Sequence, residues 1–152
     1  MQRVSAGETV LARKRTLAIV VAVVVIFLAG GLYERIQAVS SLRVAGESFK
    51  TETVTSAAAQ QQGLSGRDTL ADDAVMVFPY EDVQRRCFWM KDMRISIDMV
   101  WLDAAKNVTA VERNVLPDTY PTSFCHDGQY VLEFSAGTAE RLGLDTGDSA
   151  VF

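Results

Sequence analysis

Phe88-Trp89-Met90-Lys91-Asp92-Met93-Arg94-Ile95-Ser96-Ile97-Asp98-Met99-Val100-Trp101-Leu102 holds both tryptophans and three of the five methionines of this 152-residue chain. Four charged side chains, Lys91, Asp92, Arg94 and Asp98, interrupt it. A plain core strand has no use for so many charges in so short a span. The stretch therefore reads as two strand segments joined by a charged turn. Arg85 to Met90 is the first segment, and parity puts Cys87 and Trp89 on one face and Phe88 and Met90 on the other. Ile97 to Leu102 is the second, central in its sheet.

Downstream, Asp103 to Asn107 is a hairpin turn into a strand over Val108–Val115. Leu116 to Gln129 reads as a long loop carrying Pro117, Tyr120, Pro121, Phe124, Cys125 and His126. A loop of that length with aromatic residues is a lid or binding loop, or packs down on itself. A strand over Tyr130–Phe134 follows, then a short helix over Thr138–Leu142 closed by Gly143, and a last short strand over Ser149–Phe152 that completes the sheet or barrel. Upstream, Ser41–Val44 and Ser48–Val54 are strands around a turn. Ser56 to Gly63 is a helix, with Thr55 or Ser56 as N-cap and Gly63 just past its end. Ala74–Phe78 is an apolar strand buried on both faces and ended by Pro79, and Tyr80–Gln84 is a polar connection. The fold class is mostly β, α+β in content: a barrel-like domain with two short helices.

The first 33 residues differ in composition. Residues 1–15 end in Arg13-Lys14-Arg15, and Leu17 to Leu32 is then sixteen residues without a charge. With Thr16 and Tyr33 the span reaches about 27 Å as a helix, close to the ~30 Å of a bilayer core. The basic cluster precedes the span, so the N-terminus is expected in the cytoplasm and the rest outside. The organisation expected is a cytoplasmic segment over 1–15, a transmembrane anchor over 16–33, a linker over 34–41 and an extracytoplasmic domain over 42–152. The other reading of the apolar run is a signal peptide cleaved near Ala29-Gly30-Gly31, which leaves a secreted domain. Both readings export the domain.

Charge and residue counts exclude several functions. Residues 1–33 carry four basic residues against Glu8, a net +3, and the remainder is −7. Phosphate binding needs a basic footprint, so no nucleic-acid partner is expected. An acidic body suits solubility and a polar or cationic partner. One histidine, His126, leaves no His-based metal site, and Cys125-His126 lacks further ligands, so no metal and no cofactor are expected. Two cysteines in an exported domain read as a disulfide, Cys87–Cys125, across 37 intervening residues; the other reading is two buried free thiols.

Candidate ligand-binding residues are Arg67, Trp89, Met90, Lys91, Asp98 and Glu133. Arg67 in a turn-rich loop is an anion clamp or a loop pin paired with Asp68, Asp72 or Asp73. Trp89 beside Met90 and Lys91 suits a wall on which a sugar, a base or a cation stacks, whereas Trp101 belongs to the core. Asp98 and Glu133 are carboxylates inside apolar strands, costly to bury unless paired. They are structural partners of loop amides or cations, or they form a polar constellation at a cavity mouth.

The order of signals carries a resemblance. Gly63-Leu64-x-x-Arg67 is followed by the apolar strand ending Phe78-Pro79, by Phe88-Trp89-Met90-Lys91 and by Ile97-Asp98. Pro117, Tyr120-Pro121 and Tyr130-Val131-Leu132-Glu133 come next, then Ala136-Gly137-Thr138-Ala139-Glu140-Arg141-Leu142-Gly143 and Gly147-Asp148. This pattern resembles domain-of-unknown-function family 192, an uncharacterised bacterial and archaeal group, over about residues 42–152. The resemblance implies a compact, mostly β, barrel-like domain with two short helices, behind a signal peptide or anchor in many members. It supplies no activity, cofactor or catalytic residue. The chain departs from the pattern at Ser65, where methionine is frequent, and in the placing of its cysteines, which some members pair near the Pro117 loop. The function expected is therefore a membrane-anchored envelope module that binds a ligand or another protein. One alternative is an envelope hydrolase using Asp98 and Glu133 as an acid/base pair. Another is a purely structural accessory domain without a concave site.

Overall fold

The central strand Ile97–Leu102 is buried at every position and has neighbours on both sides, which sets the plan of the molecule. The computed structural model describes residues 41–152. The expected cytoplasmic segment, anchor and linker lie outside the described residues. Among the described residues no helix is long and apolar enough to cross a membrane. The strands are β1 (Ser41–Val44), β2 (Glu47–Thr53), β3 (Ala74–Trp89), β4 (Ile97–Leu102), β5 (Val108–Val115), β6 (Ser123–Ser135) and β7 (Ala150–Val151). The helices are α1 (Ala57–Gln62) and α2 (Thr138–Leu142), with a 3₁₀ turn over Pro117–Thr119.

All seven strands form one half-barrel sheet in the order β5-β4-β6-β3-β2-β1-β7. Its pairs are antiparallel except β2 with β3, which run parallel and are connected through α1. Antiparallel neighbours need only a tight turn, whereas a parallel pair needs a crossover. The sheet curls until its ends approach: Asn107, just before β5, bridges Ser149, just before β7, and the amide of Ala150 donates to the Lys106 carbonyl at 3.0 Å. The mostly-β, barrel-like expectation with two short helices thus holds for the domain.

Strand parity sorts the core into two layers. Val75 and Val77 of β3, Val100 and Leu102 of β4, and Leu132 and Phe134 of β6 face one side with Leu42, Phe49 and Leu144. Met76, Phe78, Met99, Trp101 and Val131 face the other with Leu64, Met90 and Ile97. Both helices form where their caps lie. Ser56 Oγ accepts from the Ala59 amide at 3.2 Å to start α1, and Gly63 ends it at φ 48. Gly143, in the left-handed region, ends α2.

Two sequence expectations change. Pro79 does not end the strand: β3 runs through it as one sixteen-residue element, and the pairing with β6 shifts register between Pro79 and Gln84. A proline lacks the N–H that a regular ladder requires, and a bulge tolerates that loss. The expected loop Leu116–Gln129 is strand from Ser123 onward, because Phe124, Cys125 and His126 pair with Phe88, Cys87 and Arg86. Gly128 lies where β6 passes close beneath β4. A Cβ there would come 3.2 Å from both the Leu102 carbonyl oxygen and Trp101 Cδ1.

Candidate functional site

The second core layer is incompletely covered. Between the end of α1, the middle of β3 and β6 lies a pocket of about 220 Å³. Glu133 lies on β6 between Leu132 and Phe134, and its parity sends its side chain to this layer, opposite Met99. It is only 5% exposed, and its Oε2 is buried without a hydrogen-bond partner. Burial pushes its carboxyl up to about 8, against the opposing pull of the Arg67 charge. Gly63, also on the pocket, packs beside this carboxyl: a Cβ there would make ordinary contact, 3.7 Å from Glu133 Oε2 and 3.5 Å from Phe78 Cζ, but its φ of 48 is one that other side chains rarely adopt.

The walls are aromatic. Tyr80 and Phe88 line the pocket with Trp89 at its rim, the last 43% exposed. Burial raises the Tyr80 hydroxyl above its ordinary pKa, and the Arg86 guanidinium sits 4.1 Å over the Tyr80 ring. Phe88 is held edge-on between Phe78 and Trp101, at 4.9 and 5.9 Å. Trp89 also borders two further hollows, one shared with Lys91, Asp92 and Ser65, the other with Lys91, Tyr120 and Pro121. Tyr120 is 49% exposed.

The sequence candidates separate into three groups. Trp89 and Glu133 meet in the pocket, and Lys91 borders the adjoining hollows. Met90, 1% exposed, belongs to the core instead, because its parity turns it into the layer with Phe78 and Met99. Arg67 forms a two-point ion pair with Glu52 at 2.6 and 2.7 Å, rather than with Asp68, Asp72 or Asp73. That pair raises the Arg67 pKa and lowers that of Glu52. Asp98 shares a strand face with Val100 and lies opposite Phe134, across the sheet from Glu133. Its two oxygens accept from the amides of Asn114 and Ala139, each at 2.7 Å. Asp98 is thus a buried brace, and the acid/base pair of the hydrolase reading does not form: a register neighbour offset by one residue points to the opposite face.

Cys87 and Cys125 form a disulfide between directly opposed residues of β3 and β6, Cα atoms 4.1 Å apart. Trp101 is fully buried, with its indole N–H donating to the Arg86 carbonyl at 3.0 Å. His126 packs against Trp101 and meets Glu112 at 2.7 Å. Among the described residues no group of three or more His, Cys, Asp or Glu side chains is placed to hold a metal. Sequence reasoning missed the contribution of Gln60–Ser65 and Tyr80 to the pocket. The signal was present in Gly63-Leu64, which was legible as a helix stop and a family motif but not as a pocket wall.

Comparison with known proteins extends the picture. No curated protein matches the chain. A crystal structure of a protein of unknown function from Novosphingobium aromaticivorans superposes with a TM-score of 0.69 at 27% identity, covering 74% of this chain and 84% of that one. A crystal structure of a candidate transcription regulator from Sinorhizobium meliloti superposes with a TM-score of 0.68 at 25% identity, covering 73% of this chain and 91% of that one. The model of DUF192, described as an uncharacterized family, matches residues 40–152. The chain therefore belongs to the DUF192 family.

Proposed function

We propose that this chain is a binding module of the cell envelope, with its N-terminal apolar segment as membrane anchor and the Glu133–Trp89 pocket as its site. The observation that carries the reading is the unpartnered Oε2 of Glu133 beneath an open hollow. A buried polar atom left without a partner costs about 1–3 kcal/mol, and a ligand that bonds it removes that cost. An exposed tryptophan at the rim supplies the stacking surface. The apolar run from Leu17 to Leu32 behind Arg13-Lys14-Arg15 supports the anchor, and the Cys87–Cys125 disulfide suits an oxidising compartment. The excess of acidic over basic residues in the domain weighs against a nucleic-acid partner.

Tryptophan fluorescence tests the reading, since Trp101 is sealed in the core and Trp89 is not. The full chain is titrated with small probes of different chemistry: an alkylammonium, an amide, a methyl glycoside and a carboxylate. At least one is expected to give a saturable change that Glu133→Gln weakens. No saturable change with any of the four would remove the binding reading.

A further inference from the structure

Several hydrogen-bonding groups around the pocket keep an acceptor open. Gln60 uses its side-chain NH₂ twice, toward the Val54 carbonyl at 3.2 Å and the Pro79 carbonyl at 3.1 Å, which leaves its amide oxygen to offer. Gln62 donates to the Ser65 carbonyl at 3.0 Å, and the Ser65 hydroxyl donates to the Lys91 carbonyl at 2.8 Å. Glu133 brings a buried, unpartnered carboxyl oxygen. Among the described residues no lysine or arginine lines the pocket. The cation whose field reaches Glu133, Arg67, is engaged through both of its terminal nitrogens by Glu52.

A cavity of this kind favours a ligand that brings donors and positive charge. An anion would find no lining cation among the described residues, and a like charge once Glu133 ionises. A guanidinium needs two coplanar acceptors for its rigid fork, whereas an ammonium is compact and turns its three donors toward acceptors on separate elements. Tyr80, Phe88 and Trp89 present aromatic surface on which a cation or its apolar stem rests. The net −7 of residues 34–152 draws cations toward the domain. We propose that the pocket takes a primary ammonium carried on a short apolar stem, its N–H donated to Glu133 Oε2 and its stem against Trp89. This assignment rests on the binding reading above and specifies its ligand class.

The assignment predicts proton release. The empty carboxyl, raised to about 8 by burial, holds its proton at neutral pH. An arriving ammonium stabilises the carboxylate, so the carboxyl proton leaves to solvent as the charge pair forms. Affinity should therefore rise about tenfold per pH unit below 8 and level off above it, until the ammonium itself deprotonates near ~10.4.

Isothermal calorimetry of the full chain with n-butylammonium at pH 6, 7 and 9, in two buffers of different ionisation enthalpy, tests this. The expected result is tenfold tighter binding at pH 7 than at pH 6, close to one proton released per ligand at pH 6, and at least a tenfold loss in Glu133→Gln. Trp89→Ala, a change at an exposed rim position, should weaken binding while leaving proton release in place. Butylammonium binding that is independent of pH or of Glu133 overturns the assignment. Binding of butyramide or methyl glucoside but not butylammonium, abolished by Trp89→Ala, overturns it and leaves the binding reading standing. Silence from all three probes overturns the assignment, and silence from a carboxylate as well removes the binding reading. Nα-acetyl-lysinamide binding more tightly than butylammonium assigns the ammonium to a polypeptide, and the reverse assigns it to a free amine; both support the proposal.

Discussion

Glu133 occupies a strand position whose neighbours Leu132 and Phe134 are fully buried on the opposite face. Its carboxyl holds a proton up to about pH 8 in the folded domain, against an ordinary 4.5 in the unfolded chain. Between those values the folded state binds more protons than the unfolded one, so stability is greatest below the unfolded pKa and falls as pH rises toward 8. The loss across that window is on the order of 4–5 kcal/mol. Urea unfolding at pH 5, 7 and 9 should show this decline in the wild type and a flattened profile in Glu133→Gln. Parallel profiles for the two proteins would show that Glu133 is ionised in the fold. Trp89 and Trp101 illustrate the same dependence on position: one residue type is a rim surface in one place and a sealed core block in the other, 43% against 0% exposed.

Asp98 works at the scale of elements. From near the start of β4 it accepts one amide from β5, at Asn114, and one from α2, at Ala139. Asn114 has φ 50, a left-handed conformation that asparagine tolerates better than most residues. The carboxylate thus fixes an irregular point of β5 and seats the first turn of α2, which has no side-chain cap at Gly137. Asp98→Ala leaves two donors without their acceptor. At ~1–3 kcal/mol each, a loss of roughly 2–6 kcal/mol is expected in chemical unfolding. Asp98→Asn, which keeps one acceptor oxygen, should fall between. A loss below about 1 kcal/mol for the alanine variant would mean that water replaces the carboxylate. The β3–β6 pair shows the complementary lesson: Glu81–Gln84 lies on an exposed part of a long strand, and the register shift there absorbs Pro79.

At the scale of the whole molecule, the disulfide ties the far halves of the two longest strands, 38 positions apart in sequence. Chain entropy assigns such a link about 3–4 kcal/mol, through restriction of the unfolded state. The double variant Cys87→Ala, Cys125→Ala should lose that amount in urea unfolding and keep its β-sheet circular dichroism. A loss of β signal would show that β3 and β6 need the bond to pair at all. Surface ion pairs such as Lys50–Asp73, Arg94–Asp68 and Arg141–Glu47 add little by comparison, being solvated on both sides.

Local chemistry determined much of this protein directly from its sequence. Alternation and apolar runs placed β1, β2, β4 and β5, and the caps Ser56, Gly63 and Gly143 bounded the two helices, because these signals act within a few residues. The family was legible from the order of its motifs. Tertiary structure alone decided the pocket. Asp98 and Glu133 look alike in sequence, both carboxylates amid apolar neighbours, yet register put one under two amides and left Oε2 of the other without a hydrogen-bond partner. Arg67 found Glu52, fifteen residues away on β2, and not its nearer aspartates. Ser123 to Gln129 became strand only because β3 offered a partner for it. Pairing between distant segments leaves no periodic trace in either one, so the site those pairings build could be read only once the sheet had closed around it.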